Sequence, residues 1–599
     1  MGYDDNDTVY KTQAQALNDC YTVDRLKPLA GMICDNIPSR KADIISVITG
    51  AMAGDKIKAV FDRLDRIGQH IVAEAVFAPN GKVDFRKIEA KYQSLSGTDR
   101  HSGYMSESDL LDLFIYKRQV PVDMRGRLKT FVPKPKSDHV KYVDKLPKSV
   151  KSKIKGEPSL PLEMRRTART ALHNLEVVLR LIDGGKLKLS PQTGRPTAAT
   201  VKNLFKRLHE GDWYSAPDVL AEVGAIQSFA WPLIVRAAGL AQAGGSSLKL
   251  TKKGYKALDG NRPQVIKSAW KKWEKNKLID EFSRINEIKG QKSSRGRTLT
   301  VPSKRRPVIN EALSHCLPGR WVKVDELLRF MQSKGLDYEV ARYPWKLYIG
   351  DSHYGHLDDY YSEPILRSRY LLAYLFEYAA TLGLIDVAFT HPTGALADFH
   401  NLWGADCLEY LSCYDGLKYF RVNPLGAYVL GLSDGYDPPV FESRPVLTVL
   451  PNHEIVITDA ISLSPADKLF LNKVGKKASS SLWLLTLPTL LAAAQSGTDT
   501  KQVRAFLESR SSQPLPETVI QLLKDAVGRS TRLSYNGRAH LIACKDPALV
   551  QLISSDRKAS KLCVAAAGDY IVVLPGKEKE FIKTLADMGY IVPQLREQI

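Results

Sequence analysis

Residues 248–260 read LKLTKKGYKALDG and residues 417–433 read LKYFRVNPLGAYVLGLS. Each opens with a short amphipathic strand pattern, passes through a cap, and closes on apolar residues at helical spacing. The order strand, cap, helix therefore occurs twice in one chain. Upstream of the first copy, Leu172, Leu175, Val178, Leu179 and Ile182 share one helical face in a segment starting at Glu163 and stopping at Gly184-Gly185. KLKLSPQTGRPTAATVKNLFKRL at 186–208 follows as a strand, a turn and a helix opened by Thr197, with further helices expected at Ala216–Val223 and Phe229–Ala238. Upstream of the second copy stand VINEALSHCLPGRWVKVDELLRFMQSKG at 308–335 and RSRYLLAYLFEYAATLGLIDVAF at 367–389, whose helix halts at Gly383.

Both stretches resemble winged-helix domains, a fold that contacts DNA in some proteins and other proteins elsewhere. Residues 17–52, LNDCYTVDRLKPLAGMICDNIPSRKADIISVITGAM, resemble the SAP motif, a DNA-binding helical hairpin. Leu26, Leu29 and Ala30 mark one face, Ile44, Ile45 and Ile48 the next, with Thr22 and Ser39 as candidate caps. The resemblance implies that Arg40 and Lys41 touch phosphate; a helical hairpin used only for packing fits the same pattern. Beyond Pro438-Pro439, "V-L-P-N-H-E-I-V-I", "L-x-T-x-x-T-L-L-A-A-x-x-x-G" and "S-x-x-P-L-P-x-x-V", closed by "P-A-L-V" after Asp546, resemble the helicase-associated domain of XPB-type helicases. Leu487 and Pro488 ahead of Thr489 depart from that pattern. The order of modules is also similar to the non-helicase subunit of transcription and repair factor IIH that clasps XPB, and to bacterial helicase-associated proteins, which implies a helicase partner and a role in repair, transcription or phage defence.

The implied fold class is α+β, multidomain and mainly helical. The expected division is an N-terminal helical domain at 1–116, a basic Pro/Lys-rich connector at 117–162 and a winged helix at 163–290. A basic linker at 291–307, a second winged helix with an insertion at 308–438, the helicase-associated domain at 439–570 and a small element at 571–599 complete it.

A formal charge of +21, from 86 Lys and Arg against 65 Asp and Glu, calls for a polyanionic partner, with DNA as the reading the motifs favour. The seven cysteines form no C-x-x-C pair, so neither a disulfide framework nor a zinc ribbon is expected. The most apolar run, SLWLLTLPTLLAAA at 481–494, contains Pro488 and is short for a membrane span. With no secretory signal, a cytoplasmic protein is expected, nucleoid-associated if bacterial.

No G-x-x-x-x-G-K-[ST] occurs, and AQAGGSSLKL at 241–250 lacks its spacing, so no nucleotide cofactor and no motor activity are expected. A nuclease would need clustered carboxylates; IEAKY at 88–92 with Asp84 offers an E-x-K, but in a helical pattern. Asp351, His353, His356, Asp358 and Asp359 in GDSHYGHLDDYY, with His391, His400 and Cys407, offer metal-ligand chemistry, against a Tyr-rich surface loop as the competing reading. The expected function is a DNA-binding adaptor without an enzymatic activity or a metal. A protein-interaction scaffold, or a metal-dependent nuclease, is the alternative. The expected DNA contacts are Arg40 and Lys41, Lys134 and Lys136 in the connector, Lys271 and Lys272 beside Trp270 and Trp273, and Arg295, Arg297, Lys304, Arg305 and Arg306 in the second linker. Trp270 and Trp273 sit at i and i+3, a spacing that suits core packing better than base stacking.

Overall fold

In the computed structural model, which describes residues 9–92, 109–214, 223–293, 296–357, 362–438, 445–459, 463–533, 539–566 and 569–592, the repeated unit is built twice with the same bonds. In the first copy Ala241–Gly244 pairs antiparallel with Ser247–Leu250. Thr251 then caps Lys252–Asp259 by accepting from the Gly254 amide, while its own amide donates to the Leu240 carbonyl at 3.0 Å. In the second copy Ile385–Phe389 pairs with Leu417–Val422, Asn423 caps Pro424–Leu430 by accepting from the Gly426 amide, and its amide donates to the Leu384 carbonyl at 3.2 Å. Glycine is required at both caps because a Cβ on Gly254 would lie 2.1 Å from the Leu240 oxygen, and one on Gly426 1.9 Å from the Leu384 oxygen.

Around the second copy the strands run Glu163–Arg165, Ile385–Phe389, Leu417–Val422, Val322–Lys323, all antiparallel. The helices Pro302–Ser314, Val324–Lys334 and Ser362–Ala373, the last continued by a wider turn over Tyr374–Ala379, precede and cover that sheet. Around the first copy stand Thr167–Asp183, Ala198–Phe205 and Gln227–Ala237, with Lys188 bridging to Ser247. Of the helix expected at Ala216–Val223, residues 216–222 lie outside the described residues, and Val223 is buried.

The expected separation of these two modules is corrected. One continuous apolar core runs from Val140 to Val429 and includes both. Trp213 of the first module stacks on Phe376 of the second at 5.4 Å and 16°. Every residue from Gln227 to Val235, and every residue from Tyr370 to Ala380, is buried. Asp212 anchors the first of these helices, its carboxylate accepting from the amides of Trp213, Ile226, Gln227 and Ser228 at 2.8–3.2 Å.

The stretch 291–307 is likewise no linker. Lys292–Ser293 pairs with Gly296–Arg297, and residues 302–314 are helix. The N-terminal helices close on a second core reaching from Tyr10 to Val132, so Val120, Met124, Leu128 and Val132 belong to it rather than to a connector. Val23–Gly31 and Lys41–Ala51 bury Leu26, Leu29, Ala30, Ile44, Ile45 and Ile48 in that core.

The chain parts into two units, Met1–Glu442 with Ser464–Phe470, and Ser443–Leu463 with Leu471–Ile599. In the second unit the strands run Leu447–Val449, Glu454–Ile457, Leu482–Leu484, Lys476–Lys477, followed by the helices Leu487–Gln495, Thr500–Arg510 and Glu517–Ser530. Thr486 and Thr489 cap the first of these helices reciprocally, which places Pro488 in its first turn, where no amide is needed. That accounts for the Leu487-Pro488 departure noted above. Leu485, Leu490, Leu507, Val519 and Leu523 are buried between the sheet and these helices, and Leu491, Phe506 and Leu522 are half-buried. A three-stranded sheet, His540–Ala543, Tyr570–Val573, Cys563–Ala566, packs with Pro547–Ser555 and Glu578–Asp587 on its own small core. Among the described residues no helix is long and apolar enough to cross a membrane.

Candidate nucleic-acid interface

The residues expected to touch DNA fall into three groups. Arg305 and Arg306 are buried, at 1 and 0 % exposure, and are corrected from surface contacts to core members. Arg305 forms a two-pronged pair with Asp280 at 2.6 and 3.1 Å. Arg306 pairs with Glu281 at 2.7 Å and donates to the carbonyls of Trp273, Asn276 and Ile279. Nearby carboxylates overcome burial and raise both guanidinium pKa values, so both are charged, and neither can reach a phosphate.

Lys272 is half-buried and its ammonium donates to the Ala238 carbonyl at 2.5 Å, closing the end of Gln227–Ala237. Lys271 is exposed beside it. Trp270 and Trp273 are buried, at 5.2 Å from Tyr374 and stacked at 4.2 Å on Tyr378, as their spacing suggested. Lys41 opens its helix, but its ammonium is occupied by the Asn18 carbonyl at 2.7 Å, leaving Arg40 exposed at the cap. Arg295 and the side chain of Arg297 lie outside the described residues; Lys304 is exposed.

Lys134 and Lys136 are the pair that the fold places in a shaped site. Both are exposed on the strap 132–138, which borders a cleft of about 610 Å³. Phe85–Tyr92 contributes Lys87 and Lys91 to the same cleft, the preceding turn Lys82, and the end of Val324–Lys334 contributes Lys334. Three carboxylates also line it, and each is engaged. Glu74 pairs with Lys91 and accepts from the Tyr92 hydroxyl at 2.8 Å. Asp84 lies 3.9 Å from Lys87. Asp138 pairs with Arg329 at 2.6 Å; burial opposes its charge, but the bonds from Arg329 and Ser333 outweigh that and hold its carboxyl below the ordinary range. Among the described residues no carboxylate lies within ion-pair distance of Lys134, Lys136 or Lys334, so the cleft carries surplus positive charge. A cleft with a surplus of one sign of charge focuses the field and attracts ions of the other sign, here polyanions.

No local pattern announces this convergence, because Lys82 and Lys334 lie far apart in the chain and meet only when Phe85–Tyr92 packs against Val324–Lys334. Periodicity could have found one part: Lys87 and Lys91 stand four apart on one helix. The E-x-K at 89–91 is no nuclease strand, since it is helical and its lysine is held by Glu74.

Among the described residues no group of three His, Cys, Asp or Glu side chains could hold a metal ion, and Asp358 and Asp359 lie outside them. The loop carrying Asp351 and His353 is fastened by backbone instead: a Cβ on Gly350 would fall 2.4 Å from the Gly404 carbonyl oxygen, and Tyr354 packs on Trp403 at 5.8 Å. His391 faces Tyr214 at 6.3 Å, His400 packs edge-on against Phe399 at 4.5 Å, and Cys407 is exposed as a free thiol.

A family model described as the helicase conserved C-terminal domain matches residues 449–567. A helicase-associated domain therefore occupies most of the second unit. No curated protein matches the chain.

Proposed function

We propose that the protein is a nucleic-acid-binding adaptor without a motor of its own, which holds a phosphate backbone in the lysine cleft and engages a helicase or similar partner through residues 449–567. The cleft is the observation that carries the reading, because it places surplus ammonium groups from separate segments around one groove in a chain of charge +21. The helicase-type match supports the second half, and the resemblance to the XPB-clasping subunit gives the partner its class. On the small sheet, Leu541, Val572 and Val564 stand in register across the three strands; Leu541 is 63 % and Val564 54 % exposed, and such an apolar row suits a protein partner.

The two repeated modules support a winged-helix reading through their helix and strand order. Their third helices are buried against one another, so in this reading they serve as scaffold and the DNA contact lies elsewhere. The SAP-like hairpin contributes Arg40 at most.

The test is the salt dependence of duplex binding. Replacing Lys134, Lys136 and Lys334 with Ala should lower the slope of log K against log salt by roughly 0.9 for each phosphate contact removed. ATP hydrolysis should stay at background with and without DNA. An unchanged slope would remove the cleft from the interface, and DNA-stimulated ATPase activity would replace the adaptor with a motor.

A further inference from the structure

The segment 341–349 is tied at both ends to the segment 288–300. Ala341 bridges Leu299, the Arg342 amide donates to the Thr298 carbonyl at 3.0 Å, and Tyr348–Ile349 pairs antiparallel with Ile288–Lys289. Between these ties the strap presses so closely that a Cβ on Gly290, at φ +78°, would lie 2.0 Å from the Lys346 carbonyl oxygen. Leu347 and Ile349 are fully buried and act as the anchors.

What the strap displays is unusual for a surface so well anchored. Tyr343 is 44 % and Trp345 50 % exposed, their ring centres 5.2 Å apart and the planes tilted by 63°, so neither ring covers the other face to face. The Lys346 ammonium stands 4.6 Å over the Tyr343 ring. Arg342 and Lys346 are exposed on the strap, and Lys289 and Lys292 on the segment it is tied to; Lys289 is the direct cross-strand neighbour of Tyr348. Burying these rings would stabilise the chain, yet rigid backbone holds them out among cations.

We propose that this strap binds single-stranded nucleic acid, with unpaired bases stacking on Tyr343 and Trp345 and the backbone phosphates meeting Lys289, Lys292, Arg342 and Lys346. Aromatic faces interleaved with cations recognise unpaired bases of any sequence, whereas in a duplex the base faces are already stacked on one another. The inference rests on the nucleic-acid reading above and adds strandedness to it: the cleft takes phosphate from either form, and the strap selects the unpaired one.

The experiment measures the affinity of the full chain for a labelled oligothymidylate and for a duplex of equal length. Tyr343→Ala with Trp345→Ala should weaken single-strand binding by roughly tenfold or more, and leave duplex binding within about twofold, since stacking contributes nothing there. Tyr343→Phe with Trp345→Phe should keep both affinities, because a benzene ring still stacks. Both rings are about half exposed and the strap is held by Leu347 and Ile349, so the alanine variant should stay folded at the assay temperature, which circular dichroism checks. Wild-type single-strand affinity in the alanine variant, or an equal loss on both nucleic acids, overturns the strap. In that case duplex binding that still depends on Lys134, Lys136 and Lys334 leaves the cleft standing. A wild-type chain that binds neither nucleic acid overturns both.

Discussion

Replacing Arg306 with Met should cost the first unit about 4 kcal/mol of stability and leave the salt slope of DNA binding as it was. The magnitude follows from what the guanidinium touches. It is fully buried, pairs with a fully buried Glu281 at 2.7 Å, and lies 5.0 Å from the Trp273 ring. Removing one partner of a buried ion pair costs about 3–5 kcal/mol, because the other charge is left in a poor solvent. Two features set the position within that range. Glu281 keeps the Trp273 indole N–H and the Tyr370 hydroxyl as donors, both at 3.1 Å, which softens the loss. The carbonyls of Asn276 and Ile279 lose their charged donor, which deepens it. Urea unfolding followed by tryptophan emission reads the first unit, since every tryptophan except Trp483 lies in it. The double variant Arg306→Met with Glu281→Gln should be more stable than the sum of the two single losses predicts, because the orphaned charge has gone. A loss below about 1 kcal/mol together with a flattened salt slope would refute the burial argument and return Arg306 to a phosphate-facing surface.

Further expectations concern protons and glycines. Burial pushes the Glu377 carboxyl up to about 7 despite Arg284 at 3.4 Å. A folded-state value raised above the ordinary one stabilises the fold at acid pH, and that contribution is lost as pH rises through about 7. Thermal melts of Glu377→Gln across pH 5–8, against the wild type, should show the variant lacking this decline; parallel curves would remove Glu377 as its source. Gly254→Ala and Gly426→Ala should each destabilise the first unit by at least about 1–3 kcal/mol in the same urea assay, whereas Gly126→Ala, whose Cβ meets nothing within 4 Å, should be mild. Equal effects at all three would mean that the caps tolerate a methyl group.

Local chemistry made much of this protein legible from its sequence. The caps at Thr251 and Asn423, the apolar faces of 23–31, 41–51 and 167–183, and the hairpin and capped helices matched by the helicase family are set by neighbours a few residues apart, so a linear reading recovers them. The pair Trp270 and Trp273 reads correctly as core for the same reason.

The sequence also determined the overall charge and the absence of a phosphate-cradling loop motif, neither of which depends on folding. Where each charge ends up is another matter. Lys304, Arg305 and Arg306 are consecutive and alike, yet one meets water and two meet buried carboxylates, because a helix turns each residue by about 100° and Asp280 and Glu281 wait on one side only. Only the tertiary structure could fuse two repeated modules into one core, turning their third helices inward, or draw Lys82, Lys87, Lys134, Lys136 and Lys334 around one cleft. Burial and convergence are properties of surfaces that meet across long stretches of chain, and no local pattern encodes which surfaces those are.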